Sequence, residues 1–170
     1  MKINKKNKED LRLEAERLST MTDALTIFSR RTTLKWLPEI LSKTGIEREE
    51  ITAMFELNIE PNQSLKQLSY KMMASSSNVS VLIQSMVENG LVCRVTDSKD
   101  RRRILLSLSE KGQNLYNNAL EHLLEKYEEY LRDLQDYDRQ ALDQATRTMI
   151  KVMESILNLN LGNREDENLL

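Results

Sequence analysis

At 170 residues, with 31% charged and 39% hydrophobic side chains but only four glycines and two prolines, the chain has the balance of long helices rather than sheets. A single cysteine, Cys93, and a single histidine, His122, exclude an intramolecular disulfide and a cysteine-built zinc site and leave no Ser/His/Asp grouping to assemble, so no metal, cofactor or enzymatic chemistry is expected. No apolar run nears the roughly twenty residues of a membrane span, and the start Met1-Lys2-Ile3-Asn4-Lys5-Lys6-Asn7-Lys8 lacks the apolar core of a signal peptide, which points to a cytoplasmic protein with no membrane partner.

The first segment reads as one long helix from near Glu9 to Trp36, because Leu18, Met21, Leu25 and Phe28 recur at three- and four-residue spacing; Pro38 then perturbs it. A short helix follows over Arg48 to Leu57, with Ile51, Met54, Phe55 and Leu57 as its apolar face. Asn58-Ile59-Glu60-Pro61-Asn62-Gln63 reads as a loop. Ser64-Leu65-Lys66-Gln67 has the form of a capping box, a hydroxyl followed three residues on by an amide that can reach back, so a helix starts there and turns Leu65, Leu68 and Met72 inward.

Ala74-Ser75-Ser76-Ser77-Asn78 competes with helical hydrogen bonding and predicts a turn and a fresh N-cap. The next helix carries Val79, Leu82, Ile83 and Met86 on one face and stops at Asn89-Gly90, where glycine suits a left-handed residue. Two short apolar runs, 91–95 and 104–109, flank Asp97-Ser98-Lys99-Asp100-Arg101-Arg102-Arg103 and form a charged hairpin, with Ile104, Leu106 and Leu108 on one face. By the same alternation Cys93 falls on the side of Leu91 and Val95 and reads as a packed, structural residue.

From Ser109 or Glu110 a second long helical region runs, with Leu120, Leu124, Tyr127, Leu131 and Leu134 at alternating steps of four and three. Asp136-Tyr137-Asp138 breaks it. Leu142, Ala145, Met149, Val152, Ile156 and Leu159 repeat the pattern in a last helix, and Gly162 to Leu170 reads as a frayed tail.

A net charge of −2 argues at first against a polyanionic partner, but the distribution reverses that impression. From Ser64 to Gly112 eight cations meet four anions, whereas from Glu121 to Leu170 twelve anions meet six cations. A basic module is thus carried on an acidic helical scaffold. Guanidinium groups at the tip of a stiff ribbon suit phosphates or a narrow minor groove.

Two short helices joined by a tight turn are the minimum of a helix-turn-helix, in which the second helix presents its first side chains to base edges in the major groove. With the hairpin added, 65–112 resembles the winged helix-turn-helix core of the MarR family of bacterial transcription regulators. The resemblance lies in Val79-Ser80 with Leu82-Ile83, in Met86-Val87-Glu88-Asn89-Gly90-Leu91-Val92, and in Asp97, Asp100-Arg101-Arg102 followed by Leu108-Ser109-Glu110-Lys111-Gly112. It implies a mainly α fold with a small β-hairpin, divided into an N-terminal dimerisation helix (1–46), a winged DNA-binding domain (47–112) and C-terminal dimerisation helices (113–170).

The resemblance places Ser75, Ser76, Ser77, Asn78 and Ser80 at the exposed start of the recognition helix. Arg102 takes the place of the arginine that reaches the minor groove, beside Lys99 and Arg101, while Asp100 and Arg101 resemble the pair that shapes the wing. Asparagine can pair bidentately with adenine and serine bonds bases more promiscuously; for Ser75, helix capping stands equal with DNA contact. Two positions depart from the pattern: Met73 sits where a glycine often eases the bend, and Val81 where many relatives carry arginine.

The function implied is a homodimeric repressor of transcription on a pseudo-palindromic double-stranded site, released by a small amphipathic or aromatic effector near Trp36 and Arg31. The alternative is a helical protein-interaction module whose acidic C-terminal helices bind a partner without DNA.

Overall fold

A computed structural model describes residues 5–96, 100 and 103–157. Its elements are α1 (Lys5–Arg31), α2 (Thr33–Thr44), α3 (Arg48–Ile59), β1 (Gln63–Ser64), α4 (Leu65–Lys71), α5 (Ser76–Glu88), β2 (Val92–Thr96), β3 (Ile104–Leu108), α6 (Glu110–Arg132) and α7 (Asp136–Leu157). The fold is mainly α with a small antiparallel sheet, as the sequence implies.

The core draws on every element from α2 to α6 except β1. Met54, Leu57, Leu68, Val79, Ile83 and Met86 are wholly buried, and Ile40, Ile46, Leu91, Val92, Leu106, Tyr116 and Ala119 close around them. Burying each large side chain contributes roughly 1.5–3 kcal/mol. Helices α1 and α7 lie outside this core. α1 packs on α2, α2 packs on α6, and α7 has little contact with any other described element.

The sheet has the order β1-β3-β2, with Val92 opposite Leu108, Arg94 opposite Leu106 and Gln63 opposite Leu106 on the other side. Strand β1 is only two residues long and joins Gln63, the last residue of the stretch read from sequence as a loop, to the capping residue Ser64. It forms because Asn62 adopts a left-handed conformation (φ 63°), which asparagine tolerates, and because the Asn62 N–H donates to Ser107 Oγ while that hydroxyl donates to Asn62 Oδ1. The buried Gln63 donates Nε2 to the carbonyls of Glu56 and Glu60, closing the end of α3.

The structure corrects five expectations. The first helix breaks at Thr32 rather than at Trp36: Thr32 is buried, its Oγ1 donates to the Phe28 carbonyl at 2.7 Å, and its backbone departs from helical geometry (φ −117°, ψ −92°). Pro38 lies inside α2, at a cost of one backbone bond that the packing of α2 on α6 offsets. Phe55 is 43% exposed, because Ala53, Met54 and Leu57 form the buried face of α3.

Cys93 is exposed, not packed. The strand's inner face begins at Val92, one residue out of phase with the expected alternation, and Cys93 pairs with Ser107 on the outer face. Asp136 and Asp138 do not break the long helix but open α7, where carboxylates favour the positive end of the helix dipole; the break itself lies over 133–135. The tail at 162–170 lies outside the described residues.

Candidate nucleic-acid interface

Two helix stops of the same type frame the helix-turn-helix. At the end of α4 the Met73 N–H donates to the Tyr70 carbonyl and the Ala74 N–H to that of Ser69. At the end of α5 the Gly90 N–H donates to the Val87 carbonyl and the Leu91 N–H to that of Met86. Each pair is a Schellman motif, which requires a left-handed residue at its centre. Gly90 supplies it with φ 73°; at the other stop Met73 adopts φ 49° with 95% of its surface exposed.

The starts of α4 and α5 follow the sequence closely. The Ser64 N–H donates to Gln67 Oε1 and the Gln67 N–H to Ser64 Oγ, completing the capping box. Ser75 caps α5 by accepting from the Asn78 N–H at 3.2 Å, and its hydroxyl also meets that of Ser77 at 3.1 Å. Buried Ser69, its hydroxyl turned onto the Leu65 carbonyl, lets the two helices approach.

Val79, Ile83 and Met86 anchor α5 to the core, which leaves Ser75, Ser76, Ser77, Asn78 and Ser80 exposed together at its first turns. Among the described residues no hydrogen bond involves the Asn78 carboxamide, so capping occupies Ser75 and leaves Asn78 outward. Lys99, Arg101 and Arg102 lie outside the described residues. Either side of Arg101 and Arg102, the Arg103 N–H donates to the Asp100 carbonyl at 2.9 Å, and the Arg103 side chain is exposed.

The first turn of α6 locks the end of α5 in place. Ser109 Oγ donates to the Gly90 carbonyl at 2.6 Å, the Ser109 N–H to that of Leu91, and Lys111 Nζ to that of Asn89. Gly112 passes so close that a Cβ there would lie 2.0 Å from the Leu91 carbonyl oxygen.

Away from this face, a cleft of about 680 Å³ opens between α1, α2 and α6. It brings together Arg31 and Trp36, the two residues named from sequence, and adds Phe28, Lys35 and Tyr130, which no sequence pattern joins because they come from three helices. Phe28 meets Tyr130 edge-on at 5.7 Å and Trp36 meets Tyr127 edge-on at 5.2 Å. Lys126 bridges Glu39 and Glu129; the hydrogen bond to Glu39 holds its ammonium above the ordinary lysine range. Lys43 first, and then Lys126, hold the Glu39 carboxyl below the ordinary carboxylate range.

A model of the MarR family matches residues 46–104, the stretch from the entry of α3 to the first residue of β3. Over that stretch the chain is similar to the MarR family. Over 110 residues it is 26% identical to the homoprotocatechuate degradative operon repressor of Escherichia coli, an alignment that covers 63% of this chain and 74% of the relative. Among solved structures it is similar to a MarR family protein from Bacillus stearothermophilus, with a TM-score of 0.65 at 22% identity over 82% of this chain and 96% of that one. It is also similar to the transcriptional repressor CouR bound to a 23-mer DNA duplex, with a TM-score of 0.54 at 18% identity over 75% and 89%.

These structural likenesses establish the winged-helix fold. The Escherichia coli relative is, by its name, a repressor of an operon. No helix among the described residues is long and apolar enough to cross a membrane.

Proposed function

We propose that this chain is a MarR-type, sequence-specific repressor that binds a pseudo-palindromic site in double-stranded DNA as a homodimer. Ser76, Ser77, Asn78 and Ser80 face base edges in the major groove, with Ser75 capping the helix that presents them, and Lys99, Arg101 and Arg102 carry the wing to phosphates and the minor groove. The observation that carries this reading is the outward polar start of α5, held by a buried apolar face on one side and a serine cap at its end. The DNA-bound CouR structure, of the same fold, supports it.

Dimer formation is supported by the apolar surface that α1 and α7 leave uncovered. Leu11, Leu13, Leu18, Leu25 and Ile27 on α1 and Leu142, Ile150, Val152 and Ile156 on α7 are all at least 37% exposed. Long amphipathic helices are marginal alone in water and draw stability from packed partners. A twofold axis then sets two recognition helices roughly 34 Å apart, one turn of DNA. The cleft beside Trp36 and Arg31 takes a small amphipathic or aromatic effector that releases the DNA by favouring a different spacing, since a ligand shifts an equilibrium only through its differential affinity for the two states.

Selection from a random duplex pool, followed by a salt titration on the recovered site, tests the reading. Counterion release predicts a steep linear fall of log affinity with log salt and a site with two related halves. Failure to enrich any sequence, or affinity independent of salt, refutes it.

A further inference from the structure

The outward stripe of α5 consists of Ser77, Val81, Gln84 and Glu88, spaced four, three and four residues apart directly opposite Val79, Ile83 and Met86. Its far end is unsuited to DNA. Gln84 Nε2 is tied to Glu88 Oε1 at 2.7 Å, and Glu88 presents a carboxylate there. Only the first two turns are therefore suited to meet base edges, and Val81 is their one apolar exposed side chain, 73% open to solvent.

Folding gives no reason for valine at this place. It packs on nothing in the core, and it is a poorer helix former than alanine because its branched side chain loses rotamer freedom against the preceding turn. That same stiffness holds its two γ-methyl groups in one direction. From Ser76 to Glu88 the helix has no lysine or arginine, so it lacks the donors that read guanine O6 and N7. On its first two turns the exposed side chains are hydroxyls, one carboxamide and one isopropyl group. The one apolar group on the major-groove edges of the base pairs is the thymine 5-methyl.

We propose that Val81 is a specificity-determining residue whose γ-methyl groups pack on the 5-methyl of a thymine in each half-site. This rests on the DNA-binding reading above and adds the base that α5 selects. Half-sites beneath α5 are accordingly built on A·T pairs, with Asn78 available to an adenine.

The test uses the full-length protein and the duplex it selects from a random pool. Each thymine is replaced singly by deoxyuridine, which removes the methyl and changes nothing else in the pairing. Wild type is expected to lose about fourfold in affinity at one thymine of a half-site, the value of one buried methyl. In Val81→Ala that loss disappears while deoxyuridine effects elsewhere persist, and a thermal melt at least as high as wild type shows the variant folded. If every deoxyuridine effect survives in Val81→Ala, or no thymine methyl matters, the assignment of Val81 is overturned and the DNA reading stands. If no duplex is selected over random DNA, the DNA reading itself fails.

Discussion

Met73 occupies the left-handed position of a Schellman stop whose twin, at the end of α5, is filled by Gly90. A non-glycine residue in that conformation costs roughly 1–2 kcal/mol through the approach of Cβ to the following carbonyl. Because Met73 is 95% exposed, removing its side chain forfeits no packing to speak of. Glycine regains the conformational cost but loses roughly 0.4–1 kcal/mol by its greater freedom when unfolded. Met73→Gly should therefore stabilise the protein by roughly 0.5–1 kcal/mol, a rise in Tm of roughly 1–4 °C for a chain of this size.

The reverse substitution at the twin site serves as the control. At Gly90 an added Cβ would find only Lys111 Cδ at 3.9 Å, so Gly90→Ala suffers from backbone conformation alone and should lose a similar amount. Scanning calorimetry at matched protomer concentration reads both, since the melt of an associating protein depends on that concentration. A Tm for Met73→Gly at or below wild type would refute the reasoning. So would a neutral Gly90→Ala.

Gly112→Ala should lower Tm by up to roughly 8 °C despite the about 1 kcal/mol that alanine gains as a helix former, because the new Cβ collides with a backbone oxygen at 2.0 Å; Asn118→Ala, exposed on the same helix, should leave Tm unchanged or raise it slightly. Ser75→Ala should cost about 1 kcal/mol of stability through the lost cap and weaken selected and random duplexes in parallel. Asn78→Ala should instead weaken only the selected site, by roughly 1–3 kcal/mol, and parallel weakening of random duplex would remove Asn78 from base reading. Arg102→Ala should reduce the salt slope of binding by about one unit with helicity retained, and an unchanged slope would remove it from the contacts. Deleting 138–170 should dissociate or unfold the dimer and abolish operator binding, as light scattering and a binding titration would show; a truncated chain that still binds tightly would count against the dimer.

What the sequence made legible were the features encoded within a few residues. The capping box at Ser64 and Gln67, the cap at Ser75 and the stop at Gly90 are local hydrogen-bond chemistry, and each is found where its residues predict it. Features set by distant partners were not legible. Strand β1 exists only because β3 lies beside it, and the break at Thr32 depends on burying that residue. Cys93 was misplaced because a run of apolar residues entering a strand does not say which of them begins the inner face. For the interface, the exposed polar start of α5 could be read directly, whereas Val81 acquires meaning only once the buried face of α5 fixes which way it points.

The hydrogen bonds that tie Asn89, Gly90 and Leu91 to the first turn of α6 leave no slack joint between α5 and the helix beyond it. At 1.5 Å per residue, the 23 residues of α6 form a rod about 35 Å long, clamped at one end to the recognition helix and lined at the other by the Tyr130 side of the cleft. A sideways displacement of about 3 Å at the far end tilts such a rod by about 5°. The clamp passes that tilt to α5 rather than absorbing it, so under the proposed function a molecule wedged beside Tyr130 would act as a hand on a lever whose working tip is the edge meant for DNA.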